Sequence, residues 1–193
     1  MATITTNMGS HERFVPGQPD MWALVLFEAM FFTGYFTVYM VCRVLEPEQF
    51  LWSQAQLDPR WGVFNTLVML TSSWSIARCV QESRSRSYAA AIRSVMLTFA
   101  LGFLFVGLKV SEWYTEIQKG LTFTTNEFFS FYYFLTAIHF IHLLVGFVVL
   151  GIVFHQLSSP SRCSQEIVET GATYWHLVDF LWVLIFALLY LMR

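Results

Sequence analysis

The stretch FFSFYYFLTAIHFIHLLVGFVVLGIVFHQL, residues 128–157, contains no lysine, arginine, aspartate or glutamate. A helix rises 1.5 Å per residue, so about 20 apolar residues cross the roughly 30 Å of hydrocarbon in a bilayer. A helix is favoured over an isolated strand because it satisfies its own backbone hydrogen bonds in lipid. This stretch therefore predicts a transmembrane helix that is tilted or that extends beyond the lipid.

Four more apolar stretches are long enough to span a bilayer, at about residues 21–42, 63–80, 89–110 and 172–192. The chain is 56% hydrophobic and 12% charged, whereas a soluble domain carries about 25% charged residues. We therefore predict an all-α membrane protein: a polar N-terminal tail (1–20) and one bundle of five transmembrane helices (21–193). The net charge of −2 gives no reason to expect nucleic acid as a partner.

The arginines around residues 81–88 predict the orientation of the bundle, because cytoplasmic loops carry an excess of lysine and arginine. With this loop inside, the N-terminus is cytoplasmic, the C-terminus lies outside, and the membrane is the inner membrane of a bacterium. The other connections, 43–62, 111–127 and 158–171, are predicted as loops. The four arginines are Arg78, Arg84, Arg86 and Arg93.

Ionisable residues inside the predicted spans are the candidate functional residues, because a charge at the centre of a membrane helix costs about 3 kcal/mol or more. By depth, most of them fall in the cytoplasmic half, which predicts a shared polar cluster for proton transfer or lipid binding. For the histidines and the aspartate, a purely structural hydrogen bond is the alternative role. Lys109 and Glu112, three residues apart, predict a local ion pair at the outer membrane interface. The candidates are Glu28, His139, His142, His176 and Asp179.

Metal and haem ligation are not favoured by the pattern. The three cysteines are far apart and form no CxxC motif, so neither a zinc site nor a disulfide framework is indicated. A haem between His142 and His176 is conceivable, but nothing completes a copper site. We predict no directly bound metal. An independent small proton-coupled transporter remains a second class of function, although no inverted repeat supports it.

Five motifs resemble, in the same order along about 170 residues, those of the cytochrome c oxidase subunit III family. The final span YWHLVDFLWVLIFALLYL (174–191) resembles the family's YWHFVD ending. The fourth span has the spacing of its histidine pair, and KVSEWYTEI (109–117) is similar to its SEYYE motif. The first and second spans contribute FEAMFFTGYF (27–36) and FNTLVMLTSSWS (64–75).

The resemblance implies a non-catalytic third subunit of a respiratory haem-copper oxidase, in which oxygen reduction is coupled to proton translocation. Such a subunit itself lacks redox centres. It stabilises catalytic subunit I, adjoins subunit II, supports proton uptake and holds phospholipid, while haem and copper lie in the partner. Glu28 matches the family's carbodiimide-reactive membrane glutamate. The remaining family-motif residues are Asn65, Thr66, Glu112, Tyr174 and Trp175.

Two departures from the family pattern bear on these expectations. Ala137 and Phe140 replace glycines of the fourth-span motif, and the first two of the seven mitochondrial helices have no counterpart. The family's lipid cleft lies between those two helices and the others. The opening FVPGQPDMW (14–22) is similar to a branch associated with bacterial nitric oxide reductase. An accessory protein of that enzyme is therefore the first alternative.

Overall fold

The computed structural model describes residues 19–159 and 163–192, and within them it contains six α-helices and no strand. The all-α prediction is confirmed, and most of the predicted N-terminal tail lies outside the described residues. In chain order the helices are α1 (Pro19–Leu45), α2 (Pro47–Gln56), α3 (Pro59–Arg84), α4 (Tyr88–Gln118), α5 (Glu127–Ser158) and α6 (Gln165–Phe186), which continues as a π-helical turn (Ala187–Leu191).

The helix missing from the prediction is α2, which occupies the middle of the predicted loop 43–62. Pro47 and Pro59 suggested a loop, but they stand in the first turns of α2 and α3. Proline is well suited to that position because its fixed φ matches a helix and its missing N–H would be unpaired there anyway. The Asp58 carboxylate caps α3 by accepting from the Arg60 N–H at 2.9 Å.

The polar connections are also shorter than predicted. Helix α4 continues through Gln118, and α6 begins at Gln165, so Glu112, Glu116 and Glu169 are helical residues rather than loop residues. Four helices are both long and apolar enough to cross a membrane: α1 from Met21, α4, α5, and α6 with its π turn. The fifth predicted span corresponds to α3, which is long enough but rich in serine and threonine.

The bundle packs around α6. Helix α3 packs against α4 and α6, and α5 packs against α4 and α6, whereas α1 contacts the others sparsely. Trp175 and Trp182 of α6 are completely buried at the centre. Small residues let the neighbours approach: a Cβ added at Gly102 or Gly146 would meet the Trp175 ring at 3.0–3.1 Å.

The C-terminal end of α6 is held by side chains from the beginning of the chain. The last carbonyls of a helix have no partner within it. Here the Tyr39 hydroxyl donates to the Leu188 carbonyl at 3.3 Å, and the Gln54 amide donates to the Leu189 carbonyl at 3.0 Å. Helices α1 and α2 therefore cap the end of α6.

Candidate functional site

Glu28 of α1 and His142 of α5 form an ion pair inside the predicted membrane region. Glu28 Oε2 lies 3.2 Å from His142 Nε2, and both side chains are largely buried, with 15% and 18% of their surface exposed. Their surroundings are mostly apolar, and the Phe32 ring meets the imidazole edge-on at 5.8 Å between centroids. Two of the five sequence candidates are thus brought into direct contact.

The hydrogen bonds of the imidazole decide how many protons this pair holds. His142 Nδ1 lies 2.9 Å from the Ile138 carbonyl oxygen. A carbonyl can only accept, so Nδ1 carries a hydrogen. Nε2 then either accepts a proton from a neutral Glu28 carboxyl or, as imidazolium, donates to the carboxylate. The pair therefore shares one proton that can sit on either partner.

Tyr174 connects this pair to α6. Its hydroxyl donates to the His142 carbonyl at 3.2 Å, and its ring is buried. The tyrosine of the YWHLVD motif therefore helps to fix the α5 backbone at the histidine that faces Glu28. Its role is to position His142, because it does not contact the Glu28 carboxyl group within the described structure.

His176 and Asp179 form a second group, with Ser73 of α3. The Ser73 hydroxyl lies 2.6 Å from His176 Nδ1, and the Asp179 carboxyl is within hydrogen-bonding reach of the same serine. These two candidates share a face of α6, as predicted, but they meet through a serine of another helix. No contact joins this group to Glu28 or His142 within residues 19–159 and 163–192.

His139 belongs to neither group. It is 1% exposed, and neither of its ring nitrogens has a hydrogen-bond partner among the described residues. Its ring packs at 5.6 Å from the Phe105 ring and 5.2 Å from the Trp182 ring, measured between centroids. The single shared polar cluster expected from the sequence is therefore divided into two contact groups and one isolated histidine.

A buried charge network occupies the other end of α4, at the predicted outer side. Lys109 Nζ lies 3.0 Å from Glu112 Oε2, 3.1 Å from the Tyr132 hydroxyl and 3.0 Å from the Tyr190 hydroxyl. Both hydroxyls in turn donate to Glu112 Oε1. The predicted Lys109–Glu112 pair is confirmed, but both side chains are only 2% exposed rather than at an open interface.

The remaining motif residues join α3 to α6. The Trp175 indole donates to the Ser72 hydroxyl at 2.9 Å, and the Trp182 indole donates to the Thr66 hydroxyl at 3.1 Å. Asn65 is completely buried, and its amide has no partner among the described residues. These contacts indicate that Thr66 and Trp175 mainly hold the bundle together.

Sequence reasoning missed Ser73, Tyr132 and Tyr190, because hydroxyl groups carry no charge to mark them in an apolar run. The partial signal was positional, since Tyr132 and Tyr190 both lie near the ends of spans at the level of Lys109. No group of three or more histidine, cysteine, aspartate or glutamate side chains that could hold a metal ion occurs in the described part of the chain. The donor sets present are pairs, which do not make a metal or haem site by themselves.

The architecture is thus that of a helical membrane subunit whose internal polar groups form hydrogen-bonded pairs and networks. The family profile of cytochrome c oxidase subunit III matches residues 1–193. The chain belongs to the cytochrome c oxidase subunit III family.

Three relatives show the range of the family. Cytochrome c oxidase subunit 3 of Synechocystis is 31% identical over 184 residues, covering 91% of this chain and 78% of the relative. Quinol oxidase subunit 3 of Bacillus subtilis is 26% identical over 181 residues, covering 89% and 84%. The heme-copper oxidase subunit I+III of Aeropyrum pernix is 23% identical over 180 residues, which is 89% of this chain but 22% of that longer protein.

Proposed function

We propose that this chain is the non-catalytic third subunit of a bacterial haem-copper terminal oxidase, and that it stabilises catalytic subunit I and supports proton uptake. The observation that carries the proposal is the Glu28–His142 pair, a proton-sharing acid and base at 3.2 Å in an apolar setting. Family membership favours this function over an independent transporter. The accessory protein of nitric oxide reductase stays the alternative that the partner experiment below can select.

The fused subunit I+III of Aeropyrum pernix supports subunit I as the principal partner, because a fusion keeps the two parts in one molecule. Helix α1 fits this role, since most of its apolar surface is exposed in the isolated chain. Subunit II and phospholipid are further proposed partners. Haem and copper would lie in the catalytic partner, and this chain would hold none.

The proposed membrane arrangement has five spans, with α3 as the fifth and α2 at the outer surface. Helix α3 is 26 residues long, or about 39 Å at the usual rise, and it packs along its neighbours α4 and α6. Its serines and threonines bond to the backbone or to α6 tryptophans, so they are satisfied without water. The arginines near the α3–α4 turn support a cytoplasmic N-terminus and a bacterial inner membrane.

The partner experiment is affinity purification of the tagged protein from gently solubilised native membranes, with identification of the copurifying subunits and a redox difference spectrum. Oxidase subunits with a haem signal and oxygen consumption are expected. A nitric oxide reductase partner would select the alternative. A colourless protein without partners would contradict both.

Glu28→Gln tests the proton-sharing pair. The glutamine amide can still donate to His142, so we expect normal assembly and an initial turnover rate close to that of the wild type. Because the variant has no carboxyl proton to exchange, we expect inactivation during sustained turnover to be several-fold faster and carbodiimide labelling at this site to be lost. Oxygen consumption followed over many turnovers, together with mass spectrometry of the labelled chain, measures both effects.

Thr37→Val is the matched control on α1, because the Thr37 hydroxyl bonds only to the backbone of its own helix, at the Thr33 carbonyl. It should behave as the wild type in both assays. If Glu28→Gln also matches the wild type in inactivation and labelling, the pair has no role in proton supply.

A further inference from the structure

A charged groove lies between α3 and α4, near the turn that joins them. It has a volume of about 320 Å³, opens to the side of the bundle, and is lined by Arg78, Glu82, Ala90, Arg93, Ser94 and Leu97. The Glu28–His142 pair belongs to α1 and α5, so this groove is a separate feature. Neither the family motifs nor the proposed function accounts for it.

One side of the groove is held in shape by Glu82. Its Oε1 lies 3.1 Å from Arg78 Nη2, and its Oε2 accepts a 2.6 Å hydrogen bond from the Ser94 hydroxyl of α4. Both carboxylate oxygens are thus engaged, and they fix Arg78 and link the two helices. This arrangement presents the half-exposed Arg78 guanidinium in a defined place.

The groove carries excess positive charge. Arg93 is exposed and forms no ion pair in the described ranges 19–159 and 163–192. Two guanidinium groups therefore face one carboxylate that is already bonded. Arginine is suited to an anionic oxygen group because its planar fork can donate two parallel hydrogen bonds to phosphate.

The depth of the two arginines is that of lipid headgroups. Arg78 lies about 9 Å before the end of α3, and Arg93 lies about 8 Å after the start of α4, at 1.5 Å per residue. Further into the bundle the surface becomes apolar, with Leu97 45% exposed and Trp74 56% exposed. Arg78 itself lies over the Trp74 ring, 5.2 Å from its centroid. Along the helix axes, positive charge is thus followed by apolar surface.

We propose that this groove binds an acidic phospholipid, with its phosphodiester between Arg78 and Arg93 and its acyl chains along Trp74 and Leu97. Basic pockets between transmembrane helices are suited to anionic lipid headgroups. A free phosphate ion would match only the charges, and a neutral lipid would match only the apolar surface. The sequence of charge and apolar surface matches an amphiphile that has both.

The test uses the protein purified from its own membrane with whatever subunits remain attached, stripped of lipid by detergent exchange. Phosphatidylglycerol and phosphatidylcholine are titrated separately, and native mass spectrometry counts the bound lipids. We expect tighter binding of phosphatidylglycerol to the wild type. Arg93→Gln should weaken that binding about fivefold, because one arginine near the membrane surface contributes roughly that factor.

Arg60→Gln is the matched control, since it removes the same charge at the other end of α3. Arg60 lines a groove whose other residues, Pro59, Val63, Phe64 and Leu67, are all apolar, so no second arginine is present. Phosphatidylglycerol affinity should be unchanged in this variant. Arg78→Gln is a less clean probe, because it also removes the partner of Glu82.

Three results would overturn the proposal. One is equal affinity for the two lipids, which includes the case of a partner subunit covering the groove. Another is an equal loss in Arg93→Gln and Arg60→Gln, which would mean a general charge effect. The third is displacement of phosphatidylglycerol by an equal concentration of inorganic phosphate, which would mean a free-anion site. Each readout is independent of which enzyme the chain accompanies.

Discussion

Lys109→Met is expected to destabilise the bundle by about 3–5 kcal/mol, the usual cost of removing one member of a buried ion pair. The lysine ammonium is the only cation that contacts Glu112 in the described structure, and it also donates to Tyr132 and Tyr190. Without it, a carboxyl group 1% exposed faces two hydroxyls alone. The thermal midpoint measured by fluorescence-detected size-exclusion chromatography should fall sharply.

Two comparisons make this expectation specific. Lys119→Met breaks a pair of the same i, i+3 kind with Glu116, but Lys119 is 45% exposed, so the midpoint should change little. The double variant Lys109→Met with Glu112→Leu should recover much of the loss, because replacing a whole buried pair by apolar residues is often neutral. A Lys109→Met midpoint equal to that of Lys119→Met would show that the network contributes nothing.

Gly146→Val is expected to weaken the packing of α5 on α6 by about 1–3 kcal/mol, the usual cost of overfilling a packed interior. Even a Cβ at this position would lie 3.0 Å from Trp175 Cζ3 and 3.1 Å from Trp175 Cε3. The tryptophan ring is completely buried and its indole is bonded to Ser72, so it has little freedom to move. The thermal midpoint should fall and the yield of assembled protein should drop.

Gly151→Val is the control on the same helix, since nothing lies within 4 Å of a Cβ at that position. It should leave the thermal midpoint within experimental error of the wild type. Equal effects of the two substitutions would show that helix propensity, rather than contact with Trp175, sets the cost.

The apolar runs predicted the membrane helices well because lipid-facing side chains must be apolar along the whole hydrocarbon region. They predicted the helix ends poorly, since α4 extends to Gln118 and α6 starts at Gln165, through polar residues that the runs exclude. Helix α2 was missed for a related reason. Its sequence, PEQFLWSQAQ, is too short and too polar to stand out as a span, and Pro47, read as a helix breaker, in fact begins it.

The candidate residues themselves were recognisable because charge is conspicuous in an apolar run. Their partners were not, because a partner depends on the direction in which each helix presents its side chains. His139 and His142 are three residues apart, yet one packs between aromatic rings and the other meets Glu28. The Lys109 network was underestimated for the same reason, since its tyrosines come from α5 and from the π turn after α6.

The cap on the last turn of α6 has a consequence for the biogenesis of the chain. The ribosome makes Tyr39 and Gln54 long before Leu188 and Leu189, whose carbonyls they bind. During synthesis those two polar side chains wait without their final acceptors, and α1 has few other contacts to hold it. The first helix therefore reaches its native position only after the last helix has left the insertion machinery, which makes the C-terminus the signal that synthesis of the bundle is complete.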